Sequence, residues 1–120
     1  MGNTMTSLEI GNMPNLDVVF SISSEHPSLE GHFPGHPVVP AVVLLNEIES
    51  HVKQQYPSYH LSELTQAKFM QLVLPEQRIH LTTDMVAADD AEIKVKFTLM
   101  NEASQLCAKG SFLFLRSLGM

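Results

Sequence analysis

The stretch Gly31-His32-Phe33-Pro34-Gly35-His36-Pro37-Val38-Val39-Pro40, followed without interruption by residues 41–56, decides the fold. Between Glu25 and Pro40 the chain carries Pro27, Pro34, Pro37 and Pro40 together with Gly31 and Gly35. Each proline fixes its own φ and removes an amide donor. No regular element survives that density, so the segment is expected to be a loop with a fixed path. After Pro40 the pattern reverses. Residues 41–56 contain neither Gly nor Pro, and Leu44, Leu45, Ile48 and Val52 recur at helical spacing. Glu47, Glu49 and Lys53 fall between them, as on an amphipathic helix. Pro40 suits the first helical position, where a missing N–H costs nothing. Pro57 closes the helix. Its early part, Ala41-Val42-Val43-Leu44-Leu45, is apolar all round, which predicts burial on most sides.

Strands surround this helix in the sequence. Leu16, Val18, Phe20 and Ile22 alternate with Asp17, Val19, Ser21 and Ser23. On the other side, Ala67 to Leu74 is a candidate strand ended by Pro75. Ile79, Leu81, Thr83 and Met85 alternate with polar neighbours. Ile93, Val95, Phe97 and Leu99 do so more cleanly, against Lys94, Lys96, Thr98 and Met100. Leu106, Ala108, Gly110, Phe112 and Phe114 mark one face of a last, long strand. Turns are expected at Ala88-Asp89-Asp90-Ala91 and at residues 101–104. Short turns between consecutive strands imply antiparallel pairing. The order is strand, loop, one buried helix, then four strands, an α+β layout with a sheet wrapped around a helix.

A chain of 120 residues suits one domain, here 1–120, with residues 1–14 expected to form a loose arm. A domain of that size buries roughly two thirds of its unfolded surface and needs no disulfide or metal to fold. Cys107 is the single cysteine and has no internal partner, in keeping with a reducing compartment. The polar start, residues 1–12, lacks a basic region and a long apolar run. No stretch approaches the roughly 20 apolar residues of a membrane span. The cytoplasm is the expected location. The net charge of −6 argues against nonspecific nucleic-acid binding, which needs Lys and Arg to neutralise phosphates.

The proline-rich loop and the helix behind it resemble the β-hydroxyacyl-ACP dehydratases of the FabA/FabZ type. The resemblance rests on His32-Phe33-Pro34-Gly35-His36-Pro37-Val38-Val39-Pro40-Ala41. Ala67-Lys68-Phe69 followed by Val73-Leu74-Pro75 is similar to a strand segment of that family. The order of elements matches from Leu16 to Leu115. Within the family the chain leans toward the small, ApeI-like dehydratases of aryl-polyene and related polyketide clusters. The resemblance implies a hot-dog fold, a dimer with sites at the subunit interface, and an acyl substrate carried by acyl carrier protein or CoA. It also implies a place in fatty-acid or polyketide-type biosynthesis. Acyl carrier proteins are acidic, so such a partner needs a local basic patch. Only Lys53, Lys68, Arg78, Lys94, Lys96, Lys109 and Arg116 are available for it.

The chemistry explains the residue types. Dehydrating a 3-hydroxyacyl thioester removes a proton beside the carbonyl and protonates the departing hydroxyl. His32, with an imidazole near neutrality, suits the first task. The developing enolate needs N–H donors, which a helix start supplies together with its dipole. By resemblance the donor is the backbone of Ala41, where the family has glycine, and the Val38 carbonyl orients the His32 ring. Phe33, Gly35, Val38, Pro40 and Ala41 are the implied substrate contacts. No cofactor is required. At the family's acidic position this chain has Asn46, which cannot exchange a proton as a carboxylic acid does. It can still hydrogen-bond a hydroxyl or hold a water. Glu47 is the other candidate for the acid, but one helical step turns its side chain by about 100° from Asn46.

Other groups read more plainly. His26, His32 and His36 are separated by prolines that forbid helical ligand spacing, so no metal is expected. His36 falls at a position that varies in the family, which suits a surface role. Phe33, Phe69, Phe112 and Phe114 are candidates for an acyl tunnel or for core. Cys107 lacks a placed base and is expected to be inert. Three functions remain open: a dehydratase; an acyl-binding hot-dog subunit that does little chemistry because of Asn46; and a thioesterase, against which the His-Phe-Pro-Gly loop argues.

Overall fold

A computed structural model describes residues 15–29, 38–89 and 91–117. Strand β1 (Asp17–Phe20) leads to a short 3-10 turn at Pro27–Leu29. Helix α1 (Ala41–Gln55) follows, then β2 (Tyr59–Phe69), β3 (Ile79–Asp89), β4 (Glu92–Met100) and β5 (Leu106–Arg116). The sheet has the order β1-β3-β4-β5-β2, and every pair is antiparallel. Among the described residues, one α-helix against a five-stranded antiparallel sheet is the hot-dog arrangement expected from the sequence.

The core lies between α1 and one face of the sheet. Val43, Leu44, Ile48 and Val52 form the buried stripe of the helix. They meet Ile79, Leu81, Met85, Ile93, Val95, Phe97, Leu99, Phe112 and Phe114, all inward-facing. Phe97 and Phe112 stack at 5.2 Å, and Phe114 meets Phe112 edge-on at 6.0 Å. Removing a ring such as Phe114 costs about 3–5 kcal/mol. Gly110 sits in this layer because β2 passes so near. A Cβ there would stand 2.3 Å from the Gln66 carbonyl and 2.7 Å from the Phe97 ring.

Several boundaries differ from the sequence expectation, each for a physical reason. Pro40 is the N-cap rather than the first helical residue, with φ −62° and ψ 149°. The start of α1 is open on one side: Val43 and Leu44 are buried, while Ala41 is exposed and Val42 is 59% exposed. The apolar run is therefore half covered by this chain. A 3-10 turn forms at Pro27–Leu29 despite the proline density, because proline is tolerated at its first position. The strand expected at 67–74 instead starts at Tyr59 and stops at Phe69. Register shifts around Ser62 and Thr65 break its alternation, which hid it. Another shift, between Leu99 and Met100, lets Cys107 and Ala108 both face inward.

Candidate active site

The helix start is the best-defined part of the site. Pro40 has no amide proton to give, and its carbonyl accepts from the amides of Val43 at 3.0 Å and Leu44 at 3.3 Å. The amides of Ala41 and Val42 find no acceptor among the described residues. These are the first donors of the helix, at the positive end of its dipole. They belong to solvent-exposed residues, so an oxyanion could reach them.

Residues 70–78 form a strap that holds the chain on both sides of the histidine motif. The Val39 amide donates to the Val73 carbonyl at 2.8 Å, and both residues are buried. The Glu76 amide donates to Ile22 at 2.7 Å. The Glu76 carboxylate accepts from the Ser24 amide at 2.8 Å. Glu76 takes a left-handed φ of 68° to make this turn. The strap itself is tied to β5, since Met70 and Gln71 both donate to the Cys107 carbonyl. Leu29, buried, and Val39 thus bracket the motif from fixed positions. His32, Phe33, Gly35 and His36 lie outside the described residues. The strap's positioning role is absent from the sequence reading. The signal the sequence carries for it is Val73-Leu74-Pro75, which resembles a strand segment of the family but lies beyond the end of β2.

Asn46 and Glu47 go to different surroundings, as one helical step requires. Asn46 is exposed and makes no side-chain hydrogen bond among the described residues. Glu47 is half-buried, with its carboxylate 3.3 Å from Nε2 of His51, one turn along. His51 packs on Phe20 of β1, ring centres 5.9 Å apart. Its Nε2 is closed off from solvent without a well-aligned hydrogen bond. Glu47 is therefore engaged on the β1 side of the helix. Val38 is half-buried before the helix. Phe112 and Phe114 are core, whereas Phe69 is 39% exposed at the end of β2. Burial pushes the Cys107 thiol up, against a smaller lowering by a backbone hydrogen bond at Asn101. A buried, protonated thiol is a poor nucleophile.

A family model for ApeI-like proteins, described as ApeI dehydratase, matches residues 9–111. The chain belongs to the ApeI-like dehydratase family. A 3-hydroxyacyl-(acyl-carrier-protein) dehydratase FabZ of Myxococcus xanthus is 30% identical over 103 residues, covering 78% of this chain and 67% of the relative. The namesake of Ralstonia nicotianae is 24% identical over 100 residues, covering 74% of this chain and 61% of the relative. The match thus spans about two thirds of the length of these curated relatives. Among solved structures, the dehydratase heterocomplex ApeI:P of Xenorhabdus doucetiae overlays with a TM-score of 0.68 at 17% identity, covering 87% of this chain and 89% of that one. At that identity the likeness bears on the hot-dog fold of the family, and one fold can host several chemistries.

Proposed function

We propose that this family member eliminates water from a 3-hydroxyacyl thioester carried by acyl carrier protein. The observation that carries the reading is the open helix start at Ala41 and Val42, which follows the His32 motif in the chain and is held to the strap by the Val39–Val73 hydrogen bond. The thioester carbonyl would sit over the Ala41 and Val42 amides, which stabilise the enolate oxygen as it forms. His32 takes the α-proton and becomes an imidazolium. Asn46 holds the 3-hydroxyl or a water beside it, donating and accepting but exchanging no proton. The imidazolium is then the proton source for the departing hydroxyl. The proton taken from carbon leaves in water, a C=C bond replaces C–O and C–H, and the imidazole is regenerated.

A homodimer is part of this proposal. The outer edge of β2 has no strand beside it among the described residues, and Leu64, Phe69, Met70, Leu72 and Val42 are exposed apolar residues along it, on the strap and at the helix start. A second subunit would cover both, and Asn46 would face that subunit. A soluble cytoplasmic enzyme of fatty-acid or polyketide-type synthesis fits this reading. No helix among the described residues is long and apolar enough to cross a membrane.

The second reading is a subunit that binds acyl chains and pairs with a catalytically complete partner. Asn46 favours it, and the Xenorhabdus relative is described as a dehydratase heterocomplex. One assay separates the two: purified protein with 3-hydroxyacyl carrier protein, following the enoyl product. The dehydratase reading expects turnover, with His32→Ala slower by about 100- to 10,000-fold. Turnover that survives His32→Ala sinks the mechanism. An inactive native protein that gains activity on Asn46→Asp favours the second reading.

A further inference from the structure

Among the described residues, two that are not glycine take a left-handed φ, Glu76 at 68° and Ser104 at 61°. Ser104 lies in the turn between β4 and β5. Glu76 lies in the strap, in the turn Leu74-Pro75-Glu76-Gln77. Proline in second place and a positive φ in third is the type II pattern, whose third place favours glycine or asparagine. A residue with a Cβ is strained there, and glycine is not. The turn closes without the Glu76 side chain. The Gln77 amide donates to the Leu74 carbonyl at 3.2 Å, and the Leu74 amide donates to Oε1 of Gln77 at 3.0 Å. Glycine in place of Glu76 would keep both bonds, and also the backbone bond to the Ile22 carbonyl.

What glycine could not supply is the carboxylate, whose Oε2 accepts from the Ser24 amide at 2.8 Å across 52 residues of sequence. From Ser24 the chain is held in steps. The Glu25 amide donates to the Ser23 hydroxyl at 3.0 Å, the His26 amide to the Ser23 carbonyl at 3.0 Å and the Leu29 amide to the His26 carbonyl at 2.9 Å. Leu29 is buried, three residues before His32. On the far side of the motif the chain is held by another bond, from the Val39 amide to the Val73 carbonyl. The strap therefore grips the histidine loop at two separate points. The exit is held by backbone alone, whereas the entry also uses a side chain on a strained residue. Strain of this kind persists where the surrounding structure over-determines it, and it clusters at functional sites.

We propose that Glu76 is a positioning residue for His32: its carboxylate fixes the entry to the loop, and through the loop the place of the imidazole relative to the thioester. The kinetic side of this inference rests on the dehydratase reading, but the placement of the ring can be read without turnover. The consequences divide between the two ends of the loop. Without the carboxylate the segment around Ser24 loses its tie to the strap. Val39, the helix start and its amides keep theirs. The thioester carbonyl is then bound as before, while the base is displaced. A misplacement of about 1 Å costs a reacting group roughly 100-fold in rate.

The test compares Glu76→Gly with Glu76→Gln and Ser104→Gly. The first removes the carboxylate and the backbone strain together. Glutamine keeps an oxygen that can accept from Ser24. Ser104→Gly relieves the same kind of strain in a turn bonded within itself, between residues 101 and 105. The first readout is the proton NMR signal of the His32 ring, identified by its absence in His32→Ala. It is expected to shift or broaden in Glu76→Gly and to stay at its native position in the other two. The urea midpoint of Glu76→Gly stays near native, because relief of strain offsets the lost bond. With 3-hydroxyacyl carrier protein, kcat falls about 10- to 100-fold in Glu76→Gly and KM holds. Glu76→Gln recovers most of the loss, and Ser104→Gly shows none. The proposal is overturned if the His32 signal is unmoved in Glu76→Gly, or if an active native protein loses no kcat on that change. It is also overturned if the loss follows a fallen urea midpoint, which would make Glu76 a structural residue only. A native protein without turnover, in which Glu76→Gly still displaces the His32 signal, leaves the positioning role standing and sinks the dehydratase reading.

Discussion

The two edges of the sheet are finished in opposite ways. β1 is a four-residue strand whose Asp17 side chain meets His80 of β3 on the outer face. Its start is tied down twice, by the Leu16 amide on the Thr83 hydroxyl at 2.7 Å and by the Asn15 side chain on the Met85 amide at 2.8 Å. A short edge that carries charge discourages further pairing. β2 runs for 11 residues, and from Ser62 to Phe69 every side chain is exposed, Leu64 and Phe69 among them. Its two register shifts twist it but do not shorten it. The strap beyond continues the apolar surface, with Leu72 at 71% exposure. One edge is closed by this chain itself. The other keeps apolar surface that folding of one copy leaves in water, beside the helix start where the chemistry is proposed.

The largest effect on this contrast should come from Gly110, which lets β2 lie close to β5. In Gly110→Val the new Cβ meets the Gln66 backbone carbonyl at 2.3 Å, and only movement of β2 relieves it. A loss of about 3 kcal/mol is expected, read as a lower urea midpoint with little change in slope. Tolerance of valine would mean that β2 is not held in this register, and the account of the open edge would go with it.

The next effect concerns what covers β2. Phe69→Glu, or Leu64→Glu, places a charge in the proposed subunit contact. Loss of an apolar anchor worth about 2 kcal/mol corresponds to roughly a 30-fold weaker dimer. Sedimentation over a range of concentrations would read it. Val19→Glu, on the outward face of β1 at 52% exposure, is the matching control and should leave assembly unchanged. If the two edges respond alike, the asymmetry between them has no bearing on assembly.

The sequence made the inner face legible and the edges obscure. Ile79 to Met85 and Ile93 to Leu99 announce themselves because each has one buried and one wet side, and period two follows from that alone. Helix α1 is legible for the same reason at its own period. β2 is hidden over its first half because only Tyr59 and Leu61 touch the core, every side chain from Ser62 on is exposed in the single chain, and two bulges reset its phase. The helix start, apolar all round, reads as buried on most sides for a related reason: apolar residues reserved for a proposed subunit contact look like core residues. The site divides along the same line. The order of loop, helix start and Asn46 can be read along the chain. The bonds from Val73 and Glu76 to either side of the motif join residues distant in sequence, and no local pattern encodes them.

The smallest effect is expected at the closed edge. The Asp17–His80 pair is well exposed on both sides, so solvent screens it and side-chain entropy offsets much of its attraction. Asp17→Asn should cost well under about 1 kcal/mol in urea unfolding, and less in high salt. The value of the measurement lies in its second readout. If charge at β1 matters mainly by discouraging a neighbour, Asp17→Asn should leave stability almost unaltered yet promote association at high concentration. If instead the variant stays in its native assembly state, shortness and backbone ties close this edge by themselves. The difference between β1 and β2 would then be one of length and apolar surface rather than of charge.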